Sequence, residues 1–536
     1  MLRIFHISAV FALTLSLISC DQRRTVDRAS EEKVLLLGNG DEPKELDPQV
    51  VTGVIESNII NALFEGLCVR HPENEGVHLP GMAERWEANA DFTQWTFHLR
   101  NDAKWSDGTP LTAADFLFAF ERILTPEFGA KYAEMLYYLK GAQQFHQGES
   151  DDFSSVSVRA PDPHTLELEL VAPTPFLPDL TMHYTWFPVP KHCVLSHGEM
   201  QTKHNPWTRP QHIVSNGPFQ LTSWKFNQYI AAEANPNYWD AARLKLKGIK
   251  FLPIKNAYTE ARMFFDGQLH GTYTLAPEMI RYAKDTEPES LRQEPYFASY
   301  FLRCNVTSPA VQNPKIRRAL ALAIDRQAII DKILQGGQSA AYSVTPPIGE
   351  YQPPKAIEYK LSEAKALLKE AGFGPDNPLR LKLLATDRDS TKRICEAVQA
   401  MWKQELGVDC TIVQFEWKTY LDKLTKLQYD VCFGGWSADY PDPTTFLDMW
   451  KKGGGNNRTG WFNNDYDQQL KTAAQCSDPA ERFRLLERAE ATMMDELPSL
   501  PLFWATTNYL LSPQVQGWHP LLLNQHPYKF IDLTQP

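Results

Sequence analysis

The chain has 536 residues, which is too long for one compact core and predicts two or three lobes. Hydrophobic residues make up 43% of the sequence and charged residues 22%, the balance of an ordinary folded globular protein. The formal net charge of −11, with no basic stripe, argues against the binding of nucleic acid.

The first twenty residues have the composition of an export signal. A short basic start, Met1–Arg3, precedes an apolar run over 4–18 that is too short to span a bilayer. The run ends in a small residue and Cys20, which resembles the lipobox of bacterial lipoproteins, and Asp21 resembles their inner-membrane retention signal. We therefore expect residues 1–20 to be a lipoprotein signal peptide and Cys20 to be acylated, so that lipid alone anchors the protein. The alternative is an ordinary signal peptide in which Cys20 is incidental.

Hydrophobic periodicity predicts strands and helices along the rest of the chain. Residues 21–32 are polar and are expected to form a tether. The predicted elements after it are, in chain order, the strands Val34–Leu37 and Trp95–Leu99, a helix capped by Thr112, the strand Thr165–Leu170, a helix starting at Pro314, the helices Ser362–Ala371 and Thr391–Leu406, the strand Asp409–Gln414, a helix from Lys418 and a strand at Tyr429–Phe433. The alternation of helix and strand in the last part favours βαβ units with parallel strands.

The sequence contains no motif that is typical of an enzyme. A nucleophile elbow, an HExxH zinc motif, a Walker loop and a dinucleotide-binding fingerprint are all absent. Four histidines lie in one region but lack the tight spacing of a metal site: His192, His197, His204 and His212. We therefore predict no enzymatic activity, no cofactor and no metal.

The seven cysteines after Cys20 cannot all form pairs, because their number is odd. Most of them lie within apolar runs, which is typical of small buried side chains with free thiols. A bridge between Cys410 and Cys432 stays open as an alternative, although spacing alone does not support it.

The stretch Phe433–Pro443 has the sequence FGGWSADYPDP and follows the last predicted strand. Its two glycines allow a backbone or a ligand to approach closely, and the prolines at 441 and 443 stop regular structure. Between them lie a large aromatic residue, Trp436, and a carboxylate, Asp439. A carboxylate in this setting indicates a partner with positive charge.

Other short motifs follow one another along nearly the whole chain. They are Glu45–Pro48, Glu56–Asn58, Leu63–Leu67, Trp95–Arg100, Lys104–Pro110, Thr112-Ala113, Asp115-Phe116, Ser215–Phe219, Asn235–Trp239, Arg317–Leu320 and Ala323–Arg326. With the 433–443 stretch, this ordered set resembles the peptide-type extracellular solute-binding proteins of bacterial ABC importers. It is most similar to the oligopeptide-binding members.

The resemblance implies an α/β fold of the two-lobed, type II-like periplasmic-binding-protein kind, with an additional inserted domain and a ligand cleft between the lobes. The implied divisions are lobe I at 33–64, 191–297 and 507–536, the inserted domain II at 65–190, and lobe III at 298–506. The implied function is to capture oligopeptides and deliver them to the permease subunits of an inner-membrane transporter. We expect a monomer that faces the periplasm or the cell exterior.

The resemblance also implies how a peptide binds. Asp439 falls where relatives accept the free α-amino group of the peptide, and an ammonium taken out of water needs such a charged partner. The segment Gly435–Ser437 would pair with the peptide main chain as an added strand, and Trp436 would form the wall of a side-chain pocket.

Three further residues fall where relatives touch the ligand. They are Val54, Tyr132 and Tyr273. For each tyrosine, ordinary packing at the edge of the cleft is the alternative.

The sequence departs from the family at the far end of the ligand. Where oligopeptide-binding relatives place a Glu, an Arg and a His, this chain has Thr52, Phe433 and Thr391. Ala298 and Ser437 replace a disulfide that some relatives form. We therefore expect the C-terminal carboxylate of a peptide to matter little, while the preferred length stays open.

Several alternatives remain beside oligopeptide binding. The ligand could instead be a murein or other cell-wall peptide, a dipeptide, haem or a nickel chelate, although Asp439 favours a ligand with a free amine. An enzyme on the same scaffold would need a paired nucleophile and base, which the sequence does not show. A structural or chaperone-like surface lipoprotein is the third class.

Overall fold

The computed structural model of the protein describes residues 24–454 and 456–535, and it places a cleft between two lobes. The predicted signal peptide and Cys20 lie outside these residues. One large hydrophobic cluster is built mainly from residues between Leu35 and Phe251, and a second from residues between Phe297 and Phe503. The structure thus confirms the predicted α/β fold with two lobes.

The strands and helices alternate along the described part of the chain. In chain order the strands are β1 (Val34–Gly38), β2 (Cys68–Arg70), β3 (His78–Pro80), β4 (Ala83–Ala88), β5 (Gln94–Leu99), β6 (Val158–Asp162), β7 (Thr165–Glu169), β8 (Phe219–Lys225), β9 (Tyr229–Ala234), β10 (Gly248–Leu252), β11 (Leu291–Cys304), β12 (Ser339–Ala340), β13 (Arg380–Thr386), β14 (Asp409–Phe415), β15 (Val431–Ser437), β16 (Ser499–Leu510), β17 (Val515–Gln516) and β18 (Asp532–Leu533). The helices are α1 (Thr25–Glu31), α2 (Val54–Leu63), α3 (Ala113–Leu124), α4 (Ala142–His146), α5 (Leu177–Leu180), α6 (Lys191–Ser196), α7 (Ala257–Phe265), α8 (Pro277–Thr286), α9 (Pro314–Leu322), α10 (Arg326–Ile329), α11 (Leu361–Glu370), α12 (Asp389–Leu406), α13 (Trp417–Thr425), α14 (Thr444–Leu447), α15 (Asn464–Ala474) and α16 (Pro479–Glu496).

Two four-stranded sheets form the part of the molecule before residue 291. The first has the order β1-β10-β9-β8, with β1 parallel to β10 and the other pairs antiparallel. The second has the order β4-β5-β7-β6 and is antiparallel throughout, as the hydrophobic alternation of β5 and β7 predicts. The second sheet lies wholly within the segment 65–190 that is predicted to be inserted.

A six-stranded mixed sheet forms the rest of the molecule, in the order β12-β16-β11-β15-β13-β14. Its parallel part consists of β13 paired with both β14 and β15, connected through α12 and α13. The βαβ units predicted from the sequence are therefore present. The antiparallel strand β11 lies on the other side of β15 and fixes it along its full length.

The long antiparallel strands β11 and β16 connect the two lobes. Residues Leu291–Pro295 of β11 pair with 506–510 of β16, and Ser299–Arg303 pair with 499–504 after a shift in register. A register shift bends a strand and interrupts its ladder, so this is where the connection changes direction. The predicted lobe boundaries, at 297/298 and 506/507, lie within these two strands.

The predicted tether over 21–32 is wrong for most of its length. Residues Thr25–Glu31 form the helix α1, in which Val26, Ala29 and Ser30 are buried. The Ser30 hydroxyl lies 3.0 Å from Nε2 of His270, so the helix is attached to lobe I. Apart from the buried Ser30, the polar residues of this segment form its outer face.

Some of the family motifs hold the lobes together internally. Asp47 forms a bidentate ion pair with Arg122 of α3, with Oδ2 and Nη2 2.7 Å apart, and both side chains are buried. Glu65 accepts hydrogen bonds from the hydroxyl of Tyr238 at 2.5 Å and from Nε1 of Trp239 at 2.7 Å. These contacts join the segment 65–190 to lobe I.

The remaining sequence predictions concern thiols, metals and membrane spans. The seven cysteines of the described residues are free, including Cys410 and Cys432. Within residues 24–454 and 456–535, no group of three or more His, Cys, Asp or Glu side chains is arranged to hold a metal ion. The helices of this same part of the chain are all too short or too polar to cross a membrane.

Candidate ligand-binding cleft

The largest cavity described lies between the lobes and has a volume of about 810 Å³. Two smaller cavities, of about 40 and 60 Å³, lie beside it. The large cavity is of the size that proteins use for small-molecule and cofactor ligands. It is bounded by α2 and the loop before it, by the segments around Tyr132 and Tyr184, and by β11, β13 and β15.

Strand β15 forms one wall of this cavity and has a free edge. On one side it pairs with β11, with Gly435 opposite Tyr300 and Ser437 opposite Ala298. On the other side it pairs with β13 only at Val431 and Cys432. Beyond that point no described strand continues the ladder, so alternate backbone groups of 434–437 face the cavity.

Asp439 follows directly after this free edge and lines the cavity. Its side chain is half-buried, and no side chain within the described residues hydrogen-bonds or forms an ion pair with its carboxylate. Burial raises the pKa of Asp439 to about 7, and the nearby carboxylate of Glu134 adds to the rise. The site therefore holds a carboxylate that lacks a cation.

The turn that carries Asp439 is fixed at both ends. The next residue, Tyr440, is buried, stacks on Phe176 with 5.4 Å between ring centroids, and shares a 2.8 Å hydrogen bond with the hydroxyl of Tyr138. Asp442 forms a buried ion pair with Arg482, in which Nη1 lies 2.7 Å from Oδ2. The carboxylate of Asp439 is thus presented by a rigid segment, as a specific binding group requires.

The structure brings most of the predicted site residues together. Asp439, Gly435, Trp436 and Ser437 line the cavity from β15 and the turn after it, and Val54 and Tyr132 line the opposite side. Val54 is the first residue of α2 and is 49% exposed, so its side chain is free to contact a ligand.

Tyr273 is separated from the other predicted residues. It lines the smaller cavity of about 40 Å³, and its ring packs against Gly40. Burial raises the pKa of Tyr273 to about 12, with added repulsion from Tyr296 and Glu260. Tyr273 is not among the residues that line the main cavity, so its contact with a ligand stays a prediction.

The two glycines of β15 allow side chains and backbone of the neighbouring strand β11 to approach closely. A Cβ atom on Gly435 would lie 2.8 Å from the ring of Tyr300 and 3.0 Å from the carbonyl oxygen of Ser299. A Cβ atom on Gly434 would collide with Nη1 of Arg303. Both close approaches come from β11, so the glycines are needed for packing whether or not a ligand is bound.

Four of the five substituted positions line this cavity, and the fifth, Ala298, lies next to it on β11. Thr52, Phe433 and Thr391 all line it, and Ala298 and Ser437 are direct neighbours across β11 and β15. The residues that replace charged groups of the relatives are therefore in place to contact a ligand.

The sequence interpretation missed four cations in the cavity wall. They are Lys131, Arg303, Arg388 and Arg458. Arg303 lies in the apolar strand sequence FLRC, where an unexplained charge was the available signal. Arg458 follows a glycine-rich loop with the composition of an ordinary surface turn. The local sequence therefore gives no signal that Arg458 lines the cavity.

Comparison with known proteins agrees with the resemblance to solute-binding proteins that the sequence motifs indicate. Residues 79–458 match the model of the bacterial extracellular solute-binding proteins, family 5. The chain is 35% identical to the periplasmic oligopeptide-binding protein OppA of Salmonella typhimurium, over 91% of this chain and 90% of that protein. It is 32% identical to the periplasmic murein peptide-binding protein MppA of Escherichia coli, over 95% of both. The structure of Haemophilus influenzae OppA in complex with the peptide RPPGFSPFR matches with a TM-score of 0.80 and 32% identity, over 94% of this chain and 99% of that one.

Proposed function

Since the chain belongs to the bacterial extracellular solute-binding proteins of family 5, we propose that it captures peptides by their free N-terminal amine for an ABC importer. The observation that carries this proposal is the carboxylate of Asp439, unpaired within the described residues, at the end of the free edge of β15. An α-ammonium group at this position supplies the missing cation and forms charge-assisted hydrogen bonds.

Binding of the ammonium group changes the protonation of Asp439. In the ligand-free cleft its pKa is about 7, so at neutral pH about half of the molecules hold a proton there. A neighbouring positive charge stabilises the ionised form and lowers this pKa. The cleft therefore binds the cation and releases a proton, and it discriminates against ligands that lack the charge.

The main chain of the peptide pairs with the free edge of β15. Backbone groups of Gly435–Ser437 supply hydrogen bonds that do not depend on peptide side chains, which suits a protein that accepts many sequences. Trp436 forms part of the wall beside this edge, where its indole Nε1 lies 3.4 Å from Oγ1 of Thr445. A peptide bound here touches β15 on one side and the segment around Val54 and Tyr132 on the other.

A ligand that touches both lobes favours the closed arrangement, because its contacts are complete only when the lobes meet around it. The two connecting strands, β11 and β16, are the place for that motion. We propose that the closed, loaded protein then delivers its peptide to the permease. Acylation of Cys20 would keep it near the membrane, and mass spectrometry of the mature chain would detect the acyl groups.

Acetylation of the peptide tests the proposed function. N-acetylation removes the ammonium charge and leaves the carboxylate unpaired, which costs roughly 3–5 kcal/mol, or about two to three and a half decades of affinity. Asp439→Asn should cause a similar loss for free-amine peptides. The two changes should not add, because they remove the same contact. Calorimetric titration of the four combinations measures this.

Glu134→Gln is the matched control, since Glu134 is a second carboxylate in the same cavity. This variant should keep the discrimination against acetylated peptides. If the parent protein binds free and acetylated peptides equally well, the proposed role of Asp439 is wrong.

Cell-wall peptides are a second candidate ligand class. The 32% identity to a murein peptide-binding protein and the substitutions at Thr52, Phe433 and Thr391 both support it. Native mass spectrometry of protein purified from its own host distinguishes the classes. Mixed oligopeptides give a spread of ligand masses, whereas a cell-wall fragment gives one mass.

A further inference from the structure

Arg303 is a buried cation in the cleft wall whose side chain has no anionic partner among the described residues. It lies on β11 opposite Cys432, is 5% exposed, and lines the large cavity. Its Nε is buried without a hydrogen-bond partner, and its guanidinium lies 4.8 Å from the ring centroid of Phe301. A buried guanidinium that is not paired destabilises the protein, so a partner from outside is expected.

Arg458 faces the same cavity and is also unpaired. Its Nε is buried without a partner, and within the described residues no carboxylate lies at ion-pair distance from it. Burial lowers the pKa of Arg458, and repulsion from the charge of Arg303 lowers it further. Both charges also act on the thiol of Cys432, where they partly offset the burial that raises its pKa to about 11. The two guanidiniums therefore line one cavity and act on the same thiol.

The space for Arg303 is provided by the neighbouring strand. A Cβ atom on Gly434 would collide with Nη1 of Arg303, so a larger residue here would have to displace this guanidinium from its position. Gly434 itself lines the cavity and does not have a positive φ, which means that the close approach explains the glycine. The position of the guanidinium is thus built into both strands.

We propose that Arg303 and Arg458 form a subsite for a carboxylate of the ligand, carried by an acidic side chain among its first few residues. This inference rests on the proposed peptide-binding function and extends it to the choice of peptide. Two guanidiniums that face one cavity match the two oxygens of a carboxylate, which would supply the missing charge and hydrogen bonds.

The position along the ligand follows from β15. Asp439 lies two residues beyond its last residue, Ser437, and Gly434, which marks the place of Arg303, lies five residues before Asp439. Five residues of extended chain span about 17 Å, which is the reach of the first few residues of a peptide. Glu134 lines the same cavity, where its charge acts on the pKa of Asp439 and the charge of Arg458 acts on its own pKa. The cleft is therefore negative where the amine binds and positive further along.

Paired peptides test the subsite on the purified protein after removal of bound ligand. The probes are Ala-Glu-Ala-Ala-amide and Ala-Gln-Ala-Ala-amide, which differ only in one charge. We expect the glutamate peptide to bind about 10- to 100-fold more tightly, measured by calorimetry. The free acid of the glutamine peptide is the second arm, because its C-terminal carboxylate offers the same chemistry. A gain for the glutamate peptide supports the subsite as proposed, whereas a gain for the free acid alone would overturn the side-chain source of the carboxylate.

Arg303→Gln and Arg458→Gln should each remove most of that gain. Arg388→Gln is the matched control, since this arginine is exposed and lines the same cavity, and it should leave the preference intact. Circular dichroism checks that each variant is folded, and the comparison of peptides on the parent protein needs no variant. Equal binding of all three peptides would overturn the subsite and leave the proposed function standing. Failure of every free-amine peptide to bind would overturn the proposed function and the subsite together.

Discussion

The buried charges outside the cleft and the charges inside it have opposite surroundings. Outside the cleft, Arg122 binds Asp47 through two hydrogen bonds of 2.7 and 3.1 Å, and its other donors reach the carbonyl of Met200 and the amide oxygen of Gln49. Asp47 also accepts a 2.9 Å hydrogen bond from Trp207. In the cleft, Asp439 and Arg303 have no such partners among the described residues, although both lie in the same wall.

This difference in pairing distinguishes the charges that stabilise the fold from the charges that are available to bind a ligand. A buried charge whose partners all lie within the protein holds the helices and strands that carry them in place. Such a charge does not interact with a ligand. A charge that is left incomplete stores unfavourable energy, which a ligand of opposite charge can relieve. The largest effects of mutation should therefore fall on stability in the first region and on affinity in the second.

Breaking the complete pair should have the largest effect on folding. Asp47→Ala leaves the Arg122 guanidinium buried without its anion, so we expect the free energy of unfolding to fall by about 3–5 kcal/mol. Urea denaturation followed by circular dichroism measures this. Glu370→Ala, which breaks the exposed pair with Lys315, is the control and should change stability by less than about 1 kcal/mol. Equal effects of the two variants would contradict the distinction.

Lowering the pH should weaken binding without unfolding the protein. With a pKa of about 7, roughly half of the Asp439 side chains are ionised at pH 7 and about one in a hundred at pH 5. The affinity for a free-amine peptide should therefore fall about 50-fold over this range, since the ammonium group must displace a proton. Calorimetry in buffers of different ionisation enthalpy should show that proton release.

Two controls sharpen the pH prediction. Asp439→Asn and an N-acetylated peptide should each flatten the profile, because each removes one member of the pair. Glu134→Gln should leave most of the pH dependence in place. A profile of the parent protein that is flat between pH 5 and pH 7 would show that Asp439 does not titrate as inferred.

The smallest expected effect is a gain in stability. Because the folded-state pKa of Asp439 is raised above the value of 3.8, its contribution to stability is present at low pH and is lost as the pH rises through 7. Asp439→Asn should therefore stabilise the ligand-free protein at pH 8 and not at pH 4. We expect a gain on the order of 1 kcal/mol, below the roughly 4 kcal/mol of the full pKa shift, because solvent screens the partly exposed carboxylate. Thermal melting at the two pH values measures the difference. Destabilisation at pH 8 would mean that Asp439 is a structural residue of its turn.

The elements with a strong local signal could be predicted from the sequence, and so could the two-lobed fold. The alternation in β5 and β7 and the glycine after α12 gave their bounds to within a few residues. Helix α1 was missed because a seven-residue helix with only three buried positions has a polar composition and depends on contacts with lobe I for its stability.

The candidate site was predicted less completely than the fold, because its residues come together only when strands that are far apart in the sequence pair. Asp439 was found from the motif around it, but the packing of Tyr273 against Gly40 depends on an encounter that no local pattern encodes. Arg303 enters the cavity because of the register between β11 and β15. Strand register across some 130 residues of sequence cannot be inferred from a single chain without the folded structure.

The unpaired edge of β15 also bears on how the protein survives at high concentration. An exposed strand edge is a template on which other copies of a chain can add strands and aggregate. Here the free edge lies in the wall of a cleft between two lobes and is short, and the turn after it contains prolines at 441 and 443, which cannot extend a ladder. Folded copies of the protein are too large to enter the cleft and reach this edge. An extended peptide is thin enough to enter. The cleft thus lets peptides bind to the edge and prevents other copies of the protein from pairing with it.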